Sequence, residues 1–400
     1  MYFLQPKTQA YPWGSRSLIA KLRGQTTDSE YPEAELWYGA HPALPSDVDD
    51  TTLEQLIAAD PDYHLGSEIN QRFSGRLPFL LKILAAGQPL SLQAHPSKQQ
   101  AEDGFARENA AGIDLRAPNR NYRDDNHKPE LLVALTEFRA MAGFRPLHEI
   151  SALLAALSTP EMDRYAAMLD AESEDAATQL RALFTTWITI PTAVRKSLLE
   201  QLVAKCHEIL EHSAEYPEWI VQTVENIIEL NHYYPGDTGI LGALLLHYIV
   251  LQPGDALYLD AGNLHAYCSG LGVEIMANSD NVLRGGLTTK HIDVPELVKV
   301  LSFEPLDDPR LHANHTQFLV PNEEFQLRML DVRKETTYEI PGPRILVATA
   351  GAVQVTHEQE TVVLHPTQAL WLPAGSAAEL TLNGTGQVFL ASCGETHCCK

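Results

Sequence analysis

The apolar spacing changes twice along this chain, and those two changes constrain the fold more than any other feature. From residue 1 to about 145, short apolar runs are broken by Gly, Pro and Asn, which predicts an antiparallel β unit with connecting helices near Glu54 to Ile57 and Lys98 to Arg107. After Phe144-Arg145-Pro146 the composition turns to Ala, Leu, Glu and Gln, and the spacing becomes helical. The apolar sets are Ile150, Leu153, Leu154 and Leu157; Leu180, Leu183 and Phe184; Leu198, Leu199, Leu202 and Val203; and Ile220, Val224 and Ile227. Pro160, Pro191 and Pro217 fall near the expected helix starts, where a missing N–H costs nothing. The β pattern resumes after Tyr234-Pro235-Gly236-Asp237. From about residue 301, strands are predicted at Phe325 to Leu330, Arg344 to Ala350, Ala352 to Thr356, Thr361 to Leu364, Ala369 to Leu372 and Gln387 to Ser392. Many short strands at this spacing predict a jelly-roll or cupin-like barrel.

The expected organisation is therefore mainly β with an α insertion. Residues 1–145 together with 235–300 form one unit, 146–234 a helical insertion that covers one side of it, and 301–400 a C-terminal barrel. At 400 residues and 44% hydrophobic content the chain can bury a large core. It has no apolar run of roughly 18 residues, so no membrane span is expected. The first residues, Met1 to Lys7, lack the basic and then apolar pattern of a secretory signal, which predicts a cytoplasmic protein. Five scattered cysteines fit a reducing compartment. Cys393, His397, Cys398 and Cys399 are read as a frayed tail rather than a zinc site. The net charge of −23, with no basic run, excludes nucleic acid as a partner.

The densest chemistry lies in Tyr122-Arg123-Asp124-Asp125-Asn126-His127-Lys128-Pro129-Glu130. Pro129 keeps Lys128 out of the helical region, so the run is extended, with Lys128 and Glu130 on one side and His127 on the other. The apolar run Leu131 to Leu135 behind it predicts a buried strand that holds Glu130 rigidly. In Leu90 to Lys98, strand alternation turns Ser91, Gln93 and His95 one way, and the turn Ala261 to Leu264 delivers His265. Gln93, His95, Glu130 and His265 together make a mixed N/O ligand set. It suits one Zn2+ per chain without excluding Mn2+, Fe2+ or Co2+. His357 and His365 of the third block have no carboxylates arranged with them, so the second barrel is expected to hold no metal. His207, His212 and His232, scattered on the helices, are not expected to be ligands.

The run from Tyr122 to Glu130 fits the Y-x-D-x-N-H-K-P-E signature of type I mannose-6-phosphate isomerases in full. His265 to Lys290, HAYCSGLGVEIMANSDNVLRGGLTTK, resembles their second signature. Tyr11-Pro12-Trp13-Gly14, Glu35-Leu36-Trp37 to His41-Pro42, and Leu77 to Lys98 extend the resemblance. Two positions depart from it: Gly285 replaces the usual Ala and Thr289 the usual Pro, beside Arg284 and Lys290 in what reads as a loop. The resemblance implies two cupin-like barrels, the first holding the metal, and interconversion of mannose 6-phosphate and fructose 6-phosphate through an enediolate. It makes Arg284 the essential arginine, suited to phosphate or a developing oxyanion.

Such a reaction also needs an acid and a base, for which Lys128 and Glu274 are candidates with His127 and Asp280 behind them. Lys128 is alternatively a substrate ligand, and Glu274 a buried carboxylate paired to Arg284. Lys290 is expected to assist the phosphate, with Ser91, Lys98 and Tyr267 as further contacts. His41 is read as capping backbone, and Asp124 and Asn126 as turn formers. An anionic sugar phosphate would be the partner, with the oligomeric state open and a monomer compatible. Two other readings compete: an Fe2+-dependent cupin oxygenase, which would consume oxygen, and a non-catalytic sugar-binding bicupin, which would show no turnover.

Overall fold

The computed structural model of the protein describes residues 1–313 and 316–394. Two β units stand on either side of a shared apolar layer, and helices close the outer face of the first. Its organising element is the long strand His265–Ala277. Residues 265–269 pair with Leu92–Ala94 and Phe138–Phe144, whereas residues 270–277 pair with Phe79–Ala86 and Glu130–Ala134. The strand turns this corner at Gly270, whose φ is 126° and where a Cβ would lie 2.7 Å from the Glu137 carbonyl oxygen. Any side chain there is strained and crowded, so the corner requires glycine.

Alternation along Phe79–Ala86 divides the work of its two faces. Phe79, Leu81, Ile83 and Ala85 join Leu131, Val133, Val273 and Ile275 in a layer against Phe318, Leu327, Ile345, Val347, Trp371 and Phe389 of the C-terminal barrel. Lys82, Leu84, Leu132 and Glu274 face the interior of the first unit, a consequence of the two-residue side-chain period. On its other flank, Leu92, Ala94, Met141, Leu264, Ala266 and Leu283 pack under Leu153, Leu183, Phe184, Leu202 and Ile227 of the helices. The helical block packs its apolar faces against this flank of the first unit. Pro191 and Pro217 stand at the caps of Thr192–Glu211 and Glu218–Tyr233, immediately before the first helical turn. No helix among the described residues is long and apolar enough to cross a membrane.

In the C-terminal barrel the strands expected at Arg344 to Ala350 and Ala352 to Thr356 are one, Arg344–His357, bent by a register shift between Ala348 and Ala350. Sequence reasoning reads the bulge as a break, because an extra residue inverts the alternation. Thr336–Glu339 was not anticipated; it pairs with the early part of Glu379–Ser392, of which the expected Gln387 to Ser392 is the end. One boundary also needs correction. Tyr2–Leu4 pairs with Ala369–Trp371, so the chain's first strand belongs to the C-terminal sheet rather than to the unit that follows it in sequence. Three residues carry too little periodicity to reveal this. His397, Cys398 and Cys399 lie outside the described residues.

Candidate metal centre and active site

Three segments from distant parts of the sequence meet at His95, which follows the strand Leu92–Ala94, and at Glu130 and His265, each the first residue of its strand. Their ligand-type atoms all lie within 4.8 Å of one another, and all three residues are buried. Glu130 Oε1 is 3.4 Å from His95 Nε2, and Oε2 is 3.4 Å from His265 Nε2. Both rings are oriented from behind. His95 Nδ1 donates to the Asn281 carbonyl at 2.7 Å and His265 Nδ1 to that of Asn263 at 2.9 Å, since a carbonyl can only accept. Each Nε2 therefore presents its lone pair to the centre, the orientation that metal-bound imidazoles take from their outer partners. His95 Nε2 and Glu130 Oε2 are buried without a hydrogen-bond partner, a costly state for a polar atom with nothing to bind. These residues fit a divalent cation. The cluster includes none of the helical histidines.

The Gln93 side chain stands beside these three residues. Its side-chain amide lies 3.2 Å from His265 Nε2, and a flip of that amide, which leaves the heavy atoms in place, turns its oxygen toward the cluster. The positions follow from register: His265 is opposite Gln93, and Gln93 is opposite Arg284. Directly opposed residues share a face, so His265, Gln93 and Arg284 form one row across three strands. Arg284 and Gly285 thus lie in strand Leu283–Gly286, not in the loop expected from the flanking glycines. Gly285 itself has no register partner and sits at the bulge between Arg284 and Gly286. The turn after it is tied by Asp237, whose Oδ1 accepts from Leu287 N at 2.7 Å and whose Oδ2 accepts from Thr288 N at 3.3 Å.

The extended run is held in the same manner. Asn281 is buried; its Oδ1 accepts from Arg123 N at 2.7 Å and its Nδ2 donates to the carbonyls of Asp124 and Asn126, each at 2.9 Å. Asp124 accepts from Asn126 N, Ser279 Oγ and Asp280 N, the turn-forming part expected of it. Lys128 Nζ reaches Glu130 Oε1 at 3.1 Å, on the shared side that alternation predicts. Burial opposes the charge on Glu130, yet the Lys128 ammonium beside it holds its carboxyl well below the usual carboxylate range. His127 faces away, its Nε2 2.6 Å from Glu324 of the C-terminal unit.

Glu274 is not paired to Arg284. Its Oε2 accepts from Lys82 Nζ at 2.9 Å, because Lys82 is directly opposite it across the strand pair. Lys82 also reaches Glu35 Oε1 at 3.3 Å and lies over the Trp37 ring. Burial works against the Lys82 charge, but Glu274 and Glu35 keep the amine protonated far beyond its ordinary range. Burial pushes the Glu274 carboxyl up, with Lys82 opposing and Glu130 reinforcing. The buried Tyr267 hydroxyl lies by Glu274 without a hydrogen bond of good geometry.

Lys82 and Glu35 escaped the sequence reading. The signal was present, since a lone Lys inside Phe79-Leu80-Leu81-Lys82-Ile83-Leu84 demands a buried carboxylate.

Other expected residues are more peripheral. Lys98 is exposed and engaged by the Asp125 carbonyl at 2.8 Å and by Glu102 at 3.6 Å. Asp280 is exposed, 3.7 Å from His41 Nε2 at the rim, while His41 Nδ1 accepts from Ala43 N and so caps its own turn. Ser91 is half-buried just before its strand. Lys290 is exposed, and its amine is lowered by burial and by the charges of Arg284 and Arg123. In the second barrel, His357 Nδ1 donates to the Glu379 carbonyl at 2.9 Å.

Burial lowers the His95 ring from 6.5 to about 4. The unfolded chain then binds that proton more readily than the fold does. In metal-stripped protein this contribution to stability is complete above about 6.5 and is lost as pH falls through about 4. Denaturant midpoints measured across that window should therefore fall with pH, with a shallower slope in His95→Gln. Equal slopes would contradict the assignment.

A sequence profile of the phosphomannose isomerase type I catalytic domain matches residues 1–147. Mannose-6-phosphate isomerase of Escherichia coli is 38% identical over 394 residues, 95% of this chain and 96% of that protein. Mannose-6-phosphate isomerase 1 of Arabidopsis thaliana is 32% identical over 406 residues, 94% of this chain and 90% of that one. The apo form of mannose 6-phosphate isomerase from Salmonella typhimurium has a TM-score of 0.87 and 34% identity, covering 99% of each chain. A mannose 6-phosphate isomerase bound with zinc and yttrium has the same score and identity over 99% of this chain and all of that one. With such identity along nearly its whole length, this chain belongs to the type I phosphomannose isomerase family.

Proposed function

We propose that the protein interconverts mannose 6-phosphate and fructose 6-phosphate, with one zinc ion per chain held by Gln93, His95, Glu130 and His265. The observation that carries this reading is the buried cluster of oriented imidazoles and carboxylate on the same row as Arg284, whose guanidinium has no carboxylate partner among the described residues. Zinc bound there would supply Lewis-acid polarisation of the sugar's carbonyl and hydroxyl oxygens.

The chain's own residues supply the rest. An aldose becomes a ketose when the proton on C2 is removed and one is delivered to C1, while the hydroxyl proton passes from O2 to O1. Glu274 and Lys128, on the interior side near the cluster, are the candidates for these transfers. Lys82 fixes the Glu274 carboxylate, and the Tyr267 hydroxyl lies beside it. Arg284 faces either the phosphate or the developing enediolate oxyanion, with Lys290 adding positive charge further along the same turn. Asp280 and Ser91 are rim contacts, and Lys98 is held back by Asp125 and Glu102. His127 acts indirectly, by anchoring the extended run to Glu324. The free thiols of Cys206 and Cys268 accord with a reducing, cytoplasmic setting. The oxygenase and storage readings have no comparable support.

Incubation with mannose 6-phosphate in deuterium oxide tests the reaction. Fructose 6-phosphate should form and carry solvent deuterium at C1, because a proton shuttled by a side chain exchanges with water. Oxygen consumption without ketose, or no ketose at all, would sink the reading.

A further inference from the structure

Resting on the sugar-phosphate reading above, we propose that Asp237, where the helical insertion ends, is a positioning residue that clamps the turn from Gly286 to Thr288 and so sets how Arg284 meets the substrate. Asp237 touches no reacting atom in this role. Its carboxylate instead collects three backbone N–H groups from two segments. Oδ1 accepts from Gly239 N and from Leu287 N, each at 2.7 Å, and Oδ2 accepts from Thr288 N at 3.3 Å. Among the described residues it forms no ion pair, so the carboxylate is given over to these donors. Asp237 is itself held in place. Its N–H donates to the Tyr234 carbonyl at 3.1 Å, and the next residue, Thr238, donates from Oγ1 to the Trp187 carbonyl of helix Ala176–Ile188 at 2.8 Å.

Arg284 needs such a clamp because pairing specifies its strand only in part. Leu283 and Arg284 are opposite Ala94 and Gln93, the register then shifts, and Gly286 is opposite Leu92. A bulge leaves one residue unpaired and re-aims the side chains beside it, so whatever pins the backbone beyond the bulge decides where Arg284 points. Beyond this bulge the backbone is strained. Leu287 is buried and has φ 53°, a left-handed conformation that side chains of this kind occupy only where the surroundings impose it. The N–H of that residue is one of the groups that Asp237 holds. Gly239 presses on the same peptide, and a Cβ there would lie 2.7 Å from Leu287 N. The clamp reaches Lys290 as well, whose N–H donates to Thr288 Oγ1 at 3.1 Å. On its other side the strand is fixed by Asn281, two residues before it, whose side chain bonds the extended run. Arg284 is thus suspended between two polar clamps, one of which comes from the end of the helical insertion.

The test is a double-mutant cycle in the zinc-loaded protein. Asp237→Ala should lower kcat for mannose 6-phosphate by about tenfold or more, since a small misplacement of a preorganised contact is costly even when the change is remote. In an Arg284→Lys background the same change should cost less than about twofold, because the contact that Asp237 aims is already lost. Asp237→Asn keeps one acceptor oxygen and should fall between the parent and Asp237→Ala; if the alanine variant does not fold, the cycle is run with asparagine and read in the same way. An equal loss in both backgrounds would show that Asp237 acts other than through Arg284 and would overturn the proposal, as would parental kcat in the single variants. If the parent protein failed to turn over mannose 6-phosphate, the isomerase reading would fall separately, and amide hydrogen exchange over residues 283–290 would still decide the clamp. Faster exchange there in Asp237→Asn, with the rest of the chain unchanged, supports it, and exchange equal to the parent's refutes it.

Discussion

His265→Ala should strip the protein of zinc and of isomerase activity together. His265 is wholly buried, its Nε2 faces both Glu130 and the Gln93 amide, and its tautomer is set by Asn263. Alanine leaves no ligand and no room for another side chain to substitute, since the neighbouring strands are paired on both sides. Changing an outer partner of a metal ligand typically costs 10–100-fold in affinity, so loss of the ligand itself should exceed about a hundredfold. At a fixed free zinc level well above the parent's dissociation constant, that weakening removes about 2.7 kcal/mol of metal-linked stability. Metal analysis by mass spectrometry and a thermal scan check both parts. Full zinc content in the variant would remove His265 from the ligand set.

Arg284→Lys should lower kcat by about a hundredfold or more, the size of effect seen when one oxyanion donor is lost from a preorganised site. The strand pairing with Gln93 supports this stronger expectation over a simple loss of phosphate affinity. Because Arg284 shares a row with Gln93 and His265, its guanidinium is presented toward the reacting end of the site as well as toward Lys290. Lysine keeps the charge but not the fork, and a longer or misplaced contact acts only weakly on a developing charge. A contact made equally to substrate and transition state would instead raise KM and spare kcat. Wild-type kcat and KM, with metal intact, would place Arg284 outside the chemistry.

What was legible in the sequence was local. Proline geometry sets the extended run, and alternation then puts Lys128 beside Glu130 and His127 on the opposite side, as found. Helical spacing located the insertion, because three or four apolar residues per two turns recur whatever lies across the interface. Residue type and strand phasing also singled out His95, Glu130 and His265, from three separated segments, which the structure brings together. Cross-strand register was not legible. Nothing near Glu274 announces that Lys82 will stand opposite it, and Arg284, the basic neighbour offered in the alternative reading of Glu274, stands opposite Gln93 instead. Register is fixed by long-range packing and by corners such as Gly270, neither of which leaves a local pattern. The contact of Glu324 with His127 spans two β units, and so belongs to the same class of information.

Zinc titration into chelator-stripped protein, with mannose 6-phosphate turnover followed at each step, tests the central claim most directly. The account predicts negligible turnover without metal, a rise in proportion to added zinc, and saturation at one ion per chain. Full turnover in protein proven free of divalent metal would contradict it.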